Sequence, residues 1–390
     1  MDSPIRFRAL FFLLLILGFV VEIQSLGVGI NYGQIANNLP SPQRVAVLLQ
    51  SLRINKVKLY DADPNVLRAF ANTNVEFIVG LGNEHISDMT DPTKAEAWVK
   101  QYVQPFLPQT KITCITVGNE VFGSNLANAQ PEIMTNLLPA MKTVYNALVS
   151  LGLSSQVNVT TAHSLTILSS SYPPSSGVFR EDFASYIKPI LDFHAQVKSP
   201  FLINAYPFFA YKDNPNEVSL DYVLFKPNQG MVDPVTNLHY DNMLYAQIDA
   251  VYAAMKAMGH SDVDIKISET GWPSKGDENE VGANPQNAGE YHRNLISRVQ
   301  QDKGTPMKPS VPIDIFVFAL FNENMKPGPA SERNYGLFYP DGRPVYSLGA
   351  QGQGPQGYLP ELVYSSASKV QVMTILGFLI FIVMGFLIHV

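Results

Sequence analysis

The stretch DIKISETGWP, residues 264–273, combines a short apolar run with a glutamate and a Gly-Trp-Pro corner. The β-branched apolar residues predict a strand, and the glycine and proline predict the turn that ends it. Seven further runs of this kind occur along the chain, at residues 27–33, 56–61, 76–82, 112–120, 157–163, 201–207 and 314–323. The sequence therefore predicts eight short strands, and residues 264–273 form the seventh of them.

The segments between these strands have the apolar periodicity of helices. Residues 41–52 begin with Ser41 as a cap and Pro42 at the first helical position, and residues 131–152 and 242–259 each end in glycine. Near-continuous apolar strands that alternate with helices predict a parallel sheet covered on both faces. Eight such units predict a single (β/α)8 TIM barrel over residues 26–350, with its active site at the C-terminal ends of the strands.

A doubly wound open sheet is the competing fold. That fold would place a glycine-rich phosphate loop after an early strand. The run GVGINYG at 27–33 contains glycines but lacks the G-x-G-x-x-G pattern, and prolines follow it. We therefore expect no dinucleotide site and no cofactor. The histidines lack the spacing of metal ligands, so we expect no metal.

Composition places the chain among ordinary globular proteins. Of 390 residues, 46% are hydrophobic and 15% are charged. The net charge of −6 and the absence of a basic run argue against nucleic acid as a partner. Cys114 is the single cysteine, so no intramolecular disulfide can form. Stability must then come from a large core, and we expect a monomer.

Both ends of the sequence have the pattern of targeting signals. Residues 1–25 contain two arginines, an apolar core and a final small residue, which predicts a secretory signal peptide; an N-terminal membrane anchor is the alternative. Residues 351–368 form a polar tail, and an apolar segment follows at 369–390. This order predicts a GPI attachment signal with Ser365 or Ser366 as the attachment residue and 369–390 removed. A C-terminal transmembrane helix is the alternative.

Two glutamates follow predicted strands at the edge where a barrel builds its active site. Glu120 comes directly after Asn119 at the end of the fourth strand, and Glu269 ends the seventh. Glycoside hydrolysis needs such a pair, because one acid must be protonated and the other must stay ionised. Burial and a neighbouring negative charge can raise the pKa of the first acid, while Tyr206 and Lys326 could keep the second ionised.

A set of motifs spans almost the whole predicted domain. They are INYG, TVGNE, NAYP, ISETGWPS, FALFNE and NYGLFYPDGRPVY. In combination they resemble the plant glucan endo-1,3-β-glucosidases of glycoside hydrolase family 17. The resemblance implies a retaining mechanism, with Glu120 as acid/base and Glu269 as nucleophile. It also implies that Tyr32, Asn119 and Tyr206 line the cleft.

Further substrate contacts follow from the resemblance and from the aromatic residues. Glu323 and Lys326 match family positions after the eighth strand, and we assign them to the hydrogen-bonding and electrostatic shell of the sugar site. Sugar faces stack on aromatic rings in clefts, which adds Trp272 to Tyr32 and Tyr206 as predicted contacts. The turn after the seventh strand would carry Trp272 along the rim of the cleft.

Two local patterns give further expectations. Strict alternation along the seventh strand predicts that Ser268 and Thr270 face away from Glu269. The sequon Asn158-Val159-Thr160 allows glycosylation of Asn158 in a secreted protein.

The leading hypothesis is a secreted, GPI-anchored enzyme that hydrolyses internal (1→3)-β-D-glucosidic linkages in β-1,3-glucans such as callose and laminarin. It would act in the cell wall and at the outer leaflet of the plasma membrane. A β-1,3-glucan transglycosylase and a non-catalytic glucan-binding surface protein are the alternatives. Many family members carry a cysteine-rich carbohydrate-binding module that this sequence lacks, so we expect the cleft alone to bind wall glucan. Mixed-linkage preference and a role in plant defence, callose turnover or development stay open.

Overall fold

The fold is a closed barrel of eight parallel strands. The computed structural model describes residues 28–123 and 131–348, so both predicted targeting segments lie outside the described residues. In chain order the barrel strands are β1 (Gly29–Asn31), β2 (Lys56–Lys58), β3 (Glu76–Leu81), β4 (Lys111–Asn119), β5 (Asn158–Ser164), β6 (Phe201–Asn204), β7 (Ile265–Thr270) and β8 (Ile315–Val317). Each strand pairs with its sequence neighbours, and β8 closes on β1 through the pairs Gly29–Phe316 and Ile30–Val317. The prediction of a (β/α)8 barrel is confirmed.

Helices cover the outside of the barrel. They are α1 (Pro42–Ser51), α2 (Pro64–Ala69), α3 (Pro92–Tyr102), α4 (Pro131–Ser150), α5 (Glu181–Val197), α6 (Pro207–Asp213), α7 (Leu220–Val223), α8 (Met243–Ala257) and α9 (Pro285–Val299). Single turns of 3-10 helix occur at 83–85, 88–90, 104–106, 165–167, 174–176 and 330–333. Among the described residues, no helix is long and apolar enough to cross a membrane.

Local sequence signals explain where several helices begin and end. Helix α1 begins at Pro42 and Ser41 occupies the N-cap position, both as predicted, although the Ser41 side chain makes no cap hydrogen bond. Asn242 does cap α8, because its side chain accepts a hydrogen bond from the backbone of Tyr245 at 2.9 Å. Gly152 and Gly259 have φ angles of 71° and 91°, the left-handed conformation that ends a helix without cost only in glycine.

Packing divides the barrel into an interior and an outer apolar layer. The interior contains a small cluster of Ile78, Cys114 and Phe316, and burial raises the pKa of the Cys114 thiol to about 12, which leaves it protonated and unreactive. At the N-terminal end of the barrel, Asp314 accepts hydrogen bonds from Lys56 and, at 2.6 Å, from Lys266. Paired charged side chains therefore occupy the N-terminal end of the barrel, and the candidate site lies at the C-terminal end.

Two short antiparallel hairpins extend the loops after β5 and β6. The first pairs Leu168–Ser170 with Val178–Phe179, and the second pairs Met231–Val232 with His239–Tyr240. Both hairpins stand on the C-terminal side of the strands that they follow. The first hairpin supplies residues to the open end of the barrel, and the second is joined to the first by the hydrogen bonds from Ser175 to Asp233.

Candidate active site

A cleft of about 930 Å³ lies across the C-terminal ends of the barrel strands. Its lining comes from residues at or after the C-terminal ends of all eight strands, including Gly33, Tyr60, Glu84, Glu120, Ser164, Asn204, Glu269 and Phe318. Active sites of parallel barrels occupy this end of the fold. Both predicted catalytic glutamates line the cleft.

Glu269 reaches the cleft because β7 contains an extra residue. Ile267 pairs with Ile203 and Glu269 pairs with Asn204, so two steps along β7 match one step along β6. Such a β-bulge interrupts alternation and turns a side chain that would otherwise face outward. Ser268 and Glu269 consequently both serve the site, since the Ser268 hydroxyl donates to Asn204 Oδ1 at 2.6 Å. The prediction that Ser268 faces away from Glu269 is wrong for this reason.

Thr270 does face away from the cleft, as alternation predicts. Its hydroxyl lies 2.6 Å from the hydroxyl of Tyr291 on helix α9. The Thr270 side chain therefore packs in the layer between the strands and the helices. The bulge therefore shifts the alternation by one residue, so that Glu269 faces the cleft and Thr270 faces outward.

Three donors surround the buried Glu269 carboxylate. Lys58 Nζ and the Tyr60 hydroxyl donate to Oε1 at 2.8 and 2.7 Å, and the Tyr206 hydroxyl donates to Oε2 at 2.9 Å. Burial by itself would raise the pKa of Glu269, but the charge and hydrogen bond of Lys58, the Tyr60 bond and the charge of Lys326 outweigh it. The pKa of Glu269 is therefore lowered, and the group is an anion at neutral pH.

Glu120 follows a second irregularity at the end of β4. Thr116 and Asn119 pair with Thr160 and Ala162, so β4 also carries one extra residue there. Glu120 itself has a φ of 51°, a left-handed conformation that costs a non-glycine residue about 1 kcal/mol. The strained backbone directs the Glu120 side chain into the mouth of the cleft.

The environment of Glu120 is opposite to that of Glu269. Its carboxylate accepts one hydrogen bond, from Asn204 Nδ2 to Oε1 at 2.8 Å. Limited hydration inside the cleft raises the pKa of Glu120 most, and the negative charge of Glu269 raises it further. The Asn204 bond, Lys58 and Lys326 lower it by less. The cleft thus contains one carboxyl whose pKa is raised and one whose pKa is lowered.

Tyr206 and Asn119 line the cleft as predicted. Tyr206 contacts Glu269, and its ring packs edge-on against Tyr335 with centroids 5.7 Å apart. Asn119 is fixed by its backbone, because its N–H donates to Asn83 Oδ1 at 2.8 Å and its carbonyl accepts from Asn83 Nδ2 at 2.9 Å. These bonds fix the chain immediately before Glu120.

Glu323 and Lys326 also lie at the cleft, although Glu323 is only 3% exposed. Glu323 Oε1 accepts a hydrogen bond from the backbone N–H of Ile35 at 2.8 Å, which joins the loop after β8 to the loop after β1. Lys326 Nζ lies 3.2 Å from Glu332 and 4.1 Å from the centre of the Phe318 ring. Its charge adds to the field that keeps Glu269 ionised.

Two predicted sugar contacts are corrected by the structure. Trp272 is fully buried, packs edge-on against Phe208 with centroids 5.2 Å apart, and donates Nε1–H to Gly282 O at 2.9 Å. Tyr32 is 2% exposed and packs edge-on against Phe321. Both rings pack beneath the cleft wall, because the turns that carry them fold back onto the apolar layer. Neither lines the cleft.

Sequence reasoning missed the residues that control Glu269 from β2. In KVKLYD, residues 56–61, Lys58 and Tyr60 are two positions apart and therefore share a face of the strand. A lysine that faces the barrel interior near the C-terminal end of a strand was the feature of the sequence that could have indicated this role. The aromatic wall was also missed in part: Phe209, Phe318 and Tyr335 line the cleft. Within the described ranges, no group of acidic, histidine or cysteine side chains could ligate a metal ion.

A parallel eight-stranded barrel whose open cleft holds two neighbouring carboxyls with opposite pKa shifts is the arrangement of a glycoside hydrolase. Residues 28–350 match the family described as Glycosyl hydrolases family 17. The chain belongs to that family.

Relatives and solved structures agree with this assignment. The protein named glucan endo-1,3-beta-glucosidase 14 of Arabidopsis thaliana is 64% identical over 361 residues, which cover 92% of this chain and 89% of the relative. The glucan endo-1,3-beta-D-glucosidase of Olea europaea is 44% identical over 352 residues, covering 90% and 76%. The solved structure of a β-1,3-glucanase and allergen of Cryptomeria japonica pollen is 40% identical, with a TM-score of 0.78 over 82% of this chain and 98% of that one.

Proposed function

We propose that this chain is a retaining endo-hydrolase of (1→3)-β-D-glucosidic linkages in β-1,3-glucans. The observation that carries the proposal is the contrast between Glu120, whose pKa is raised, and Glu269, whose pKa is lowered, in one cleft. The linkage assignment is supported by relatives named glucan endo-1,3-beta-glucosidase that are 64% and 58% identical to the chain. The cleft is open, which suits binding along a polymer chain.

In the first half of the proposed reaction, Glu269 is the nucleophile and Glu120 the acid. A carboxylate oxygen of Glu269 attacks the anomeric carbon as the bond to the glycosidic oxygen breaks. The proton of Glu120 moves to that oxygen, so the leaving chain departs as a neutral alcohol. Tyr60 and Tyr206 orient the attacking carboxylate through their hydrogen bonds to it.

In the second half, Glu120 acts as the base. Its carboxylate takes a proton from a water molecule, whose oxygen attacks the anomeric carbon and breaks the ester to Glu269. Glu269 returns to its ionised form and Glu120 regains its proton. Two displacements at the same carbon leave the product with the β configuration of the substrate.

The catalytic assignment is tested by Glu269→Gln and Glu120→Gln, with Glu278→Gln as the control. Glu278 is exposed and does not line the cleft. Each cleft variant should hydrolyse laminarin about 10³-fold or more slowly while still binding the oligosaccharide, and the control should be unaffected. Near wild-type turnover of Glu269→Gln would overturn the assignment. Proton NMR of the first product formed should show the β anomer.

The linkage preference needs a product profile on linear β-1,3-glucan and on mixed β-1,3-1,4-glucan. A solved structure 37% identical to this chain, with a TM-score of 0.75, belongs to work on two plant β-glucan endohydrolases with distinct substrate specificities. The same barrel fold therefore occurs in enzymes with different substrate specificities. We expect faster release of products from the linear β-1,3-glucan. Products longer than the substrate, formed with excess acceptor, would indicate transglycosylation instead.

We further propose secretion through residues 1–25 and a GPI anchor at Ser365 or Ser366 as the route to the outer face of the plasma membrane and the cell wall. These segments lie outside the described residues, and their sequence pattern supports the proposal. Phosphatidylinositol-specific phospholipase C should release the protein from intact cells. Asn158 is exposed at the start of β5, at the end of the barrel opposite the cleft, so a glycan there would leave the cleft open.

A further inference from the structure

The wall of the cleft beside Glu120 is rich in hydroxyl groups. It is formed by the segment that follows β5 and contributes side chains of Ser164, Thr166, Ser169, Ser170 and Ser171. This segment leaves the barrel directly next to Glu120, whose backbone N–H donates to Ala162 O on β5 at 2.8 Å. Hydroxyl groups suit a polar sugar, but they give little apolar contact.

A large aromatic side chain comes directly after this wall in the chain. Tyr172 follows the last cleft-lining serine and is 74% exposed. Exposure of a whole aromatic ring leaves apolar surface in water, and such surface at the end of a binding groove marks a contact for a ligand. A ring held on a fixed backbone loses less conformational freedom on binding than a ring on a mobile loop.

The turn that carries Tyr172 is fixed by buried partners. Asp233 is fully buried and accepts hydrogen bonds from the N–H and the hydroxyl of Ser175, each at 2.8 Å. The Ser176 hydroxyl donates to Pro173 O at 2.8 Å. Gly177 lies so close to helix α8 that an added Cβ would be 2.0 Å from Ala250 O. The ring of Tyr172 is thus exposed on a well-fixed backbone.

Tyr172 also lies near the second segment that lines the cleft. Asp233, which accepts the two hydrogen bonds from Ser175, follows helix α7 in that segment, so the turn that carries Tyr172 packs against it. Helix α6 in the same segment supplies Phe209 and Asp213 to the cleft. The turn of Tyr172 therefore follows one cleft-lining segment in the chain and lies next to a second.

We propose that Tyr172 is a stacking platform for a sugar residue in the leaving-group part of the glucan, beyond the residues nearest to Glu120. The side is assigned by the position of the acid: Glu120 protonates the leaving oxygen, and the segment carrying Tyr172 extends from the strand beside Glu120. The flat apolar face of a glucose unit matches the face of a tyrosine ring. This inference rests on the proposed function and adds a determinant of chain length to it.

The test compares Tyr172→Ala with Tyr172→Phe and with the control Tyr339→Ala. Tyr339 is 39% exposed but does not line the cleft. Substrates are linear β-1,3-gluco-oligosaccharides from trimer to octamer with a label at the reducing end. We expect Tyr172→Ala to lower kcat/KM about three- to tenfold on the longest substrates and to leave the trimer unchanged. Its cleavage sites should move toward the reducing end, because long leaving groups lose their extra binding.

The outcomes separate this inference from the proposed function. Tyr172→Phe should behave as wild type, since the ring and not the hydroxyl is the binding surface, and thermal unfolding of all variants should match. If wild-type enzyme cleaves the series but Tyr172→Ala has the same length dependence and cleavage sites, the inference is overturned and the function stands. A wild-type protein that cleaves no β-1,3-glucan overturns the function, and this inference with it.

Discussion

Lys58 Nζ lies 2.8 Å from Glu269 Oε1, and the two side chains are only 1% and 8% exposed. The ammonium group also lies 4.2 Å from the centre of the Tyr60 ring, and Tyr60 donates to the same carboxylate oxygen. A buried ion pair is costly to separate, because either partner alone is a charge without solvent. The nucleophile proposed for the reaction is therefore ionised because a strand on the other side of the barrel supplies its counter-charge.

Replacing Lys58 with methionine should weaken both catalysis and folding. Burial, no longer opposed by Lys58, should raise the pKa of Glu269, so the acid limb of the kcat/KM profile should move to higher pH. A carboxylate whose pKa is lower in the folded than in the unfolded protein stabilises the folded state at pH values above its unfolded pKa. That stabilisation disappears as the pH falls through the folded pKa. Since the variant loses it, the free energy of unfolding at neutral pH should fall by about 3 kcal/mol.

The matched control for this prediction is Lys56→Met, two residues earlier on the same strand. Lys56 pairs with Asp314 at the opposite end of the barrel, is partly exposed, and leaves Asp314 its second partner, Lys266. Its pH profile should be that of the wild type. An unchanged acid limb in Lys58→Met would mean that Glu269 stays ionised without the lysine.

Asn204 should set the alkaline limb of the same profile. Its amide donates to Glu120 and so favours the ionised acid; Asn204→Ala should raise the pKa of Glu120 and move the alkaline limb to higher pH. The maximal rate should also fall, because the acid loses its only side-chain hydrogen bond in the described structure. Ser268→Ala, which frees Asn204 Oδ1, should move the limb in the same direction by less. A limb that moves to lower pH in either variant contradicts this role.

The barrel could be predicted from the sequence because its strands are short, apolar and separated by helices with clear ends. All eight predicted runs overlap a barrel strand, and Gly152 and Gly259 lie where the helices end. Ser41 shows the limit of such signals: the residue type favours a cap, but the side chain makes no cap bond. Capping depends on a rotamer that residue identity does not determine.

Only those residues of the site that lie at the ends of predicted strands could be predicted from the sequence. Glu120 and Glu269 were placed correctly because each ends a strand, but the bulges before them add residues that alternation cannot reveal. Trp272 was misplaced because a Gly-Trp-Pro corner does not tell whether its ring turns outward or inward. Lys58 was missed because pairing across the barrel joins residues 211 positions apart in sequence.

Trp272 should matter for stability and little for sugar binding. Trp272→Ala removes a fully buried ring that packs on Phe208 and on Tyr291, so the free energy of unfolding should fall by about 3–5 kcal/mol. Phe209→Ala is the complementary variant, because Phe209 lines the cleft and is 38% exposed. That variant should raise KM for oligosaccharides and unfold near the wild-type midpoint in denaturant. The reverse pattern would restore Trp272 as a sugar contact.

Asp249 on helix α8 should make the fold less stable as pH rises through about 6. The residue is fully buried and accepts a hydrogen bond from the Met307 N–H at 2.8 Å; burial raises its pKa to about 6. A raised folded pKa gives stability that is complete below the unfolded pKa, near 3.8, and is lost as pH rises through the folded value. Asp249→Asn retains an acceptor for Met307 but cannot ionise. The free energy of unfolding in denaturant should therefore be lower at about pH 7.5 than at about pH 4.5 in the wild type. This fall should be smaller in Asp249→Asn. It should persist in the control Asp264→Asn, because Asp264 is exposed. Equal pH dependence in all three proteins would show that Asp249 does not bind a proton differently in the folded and unfolded states.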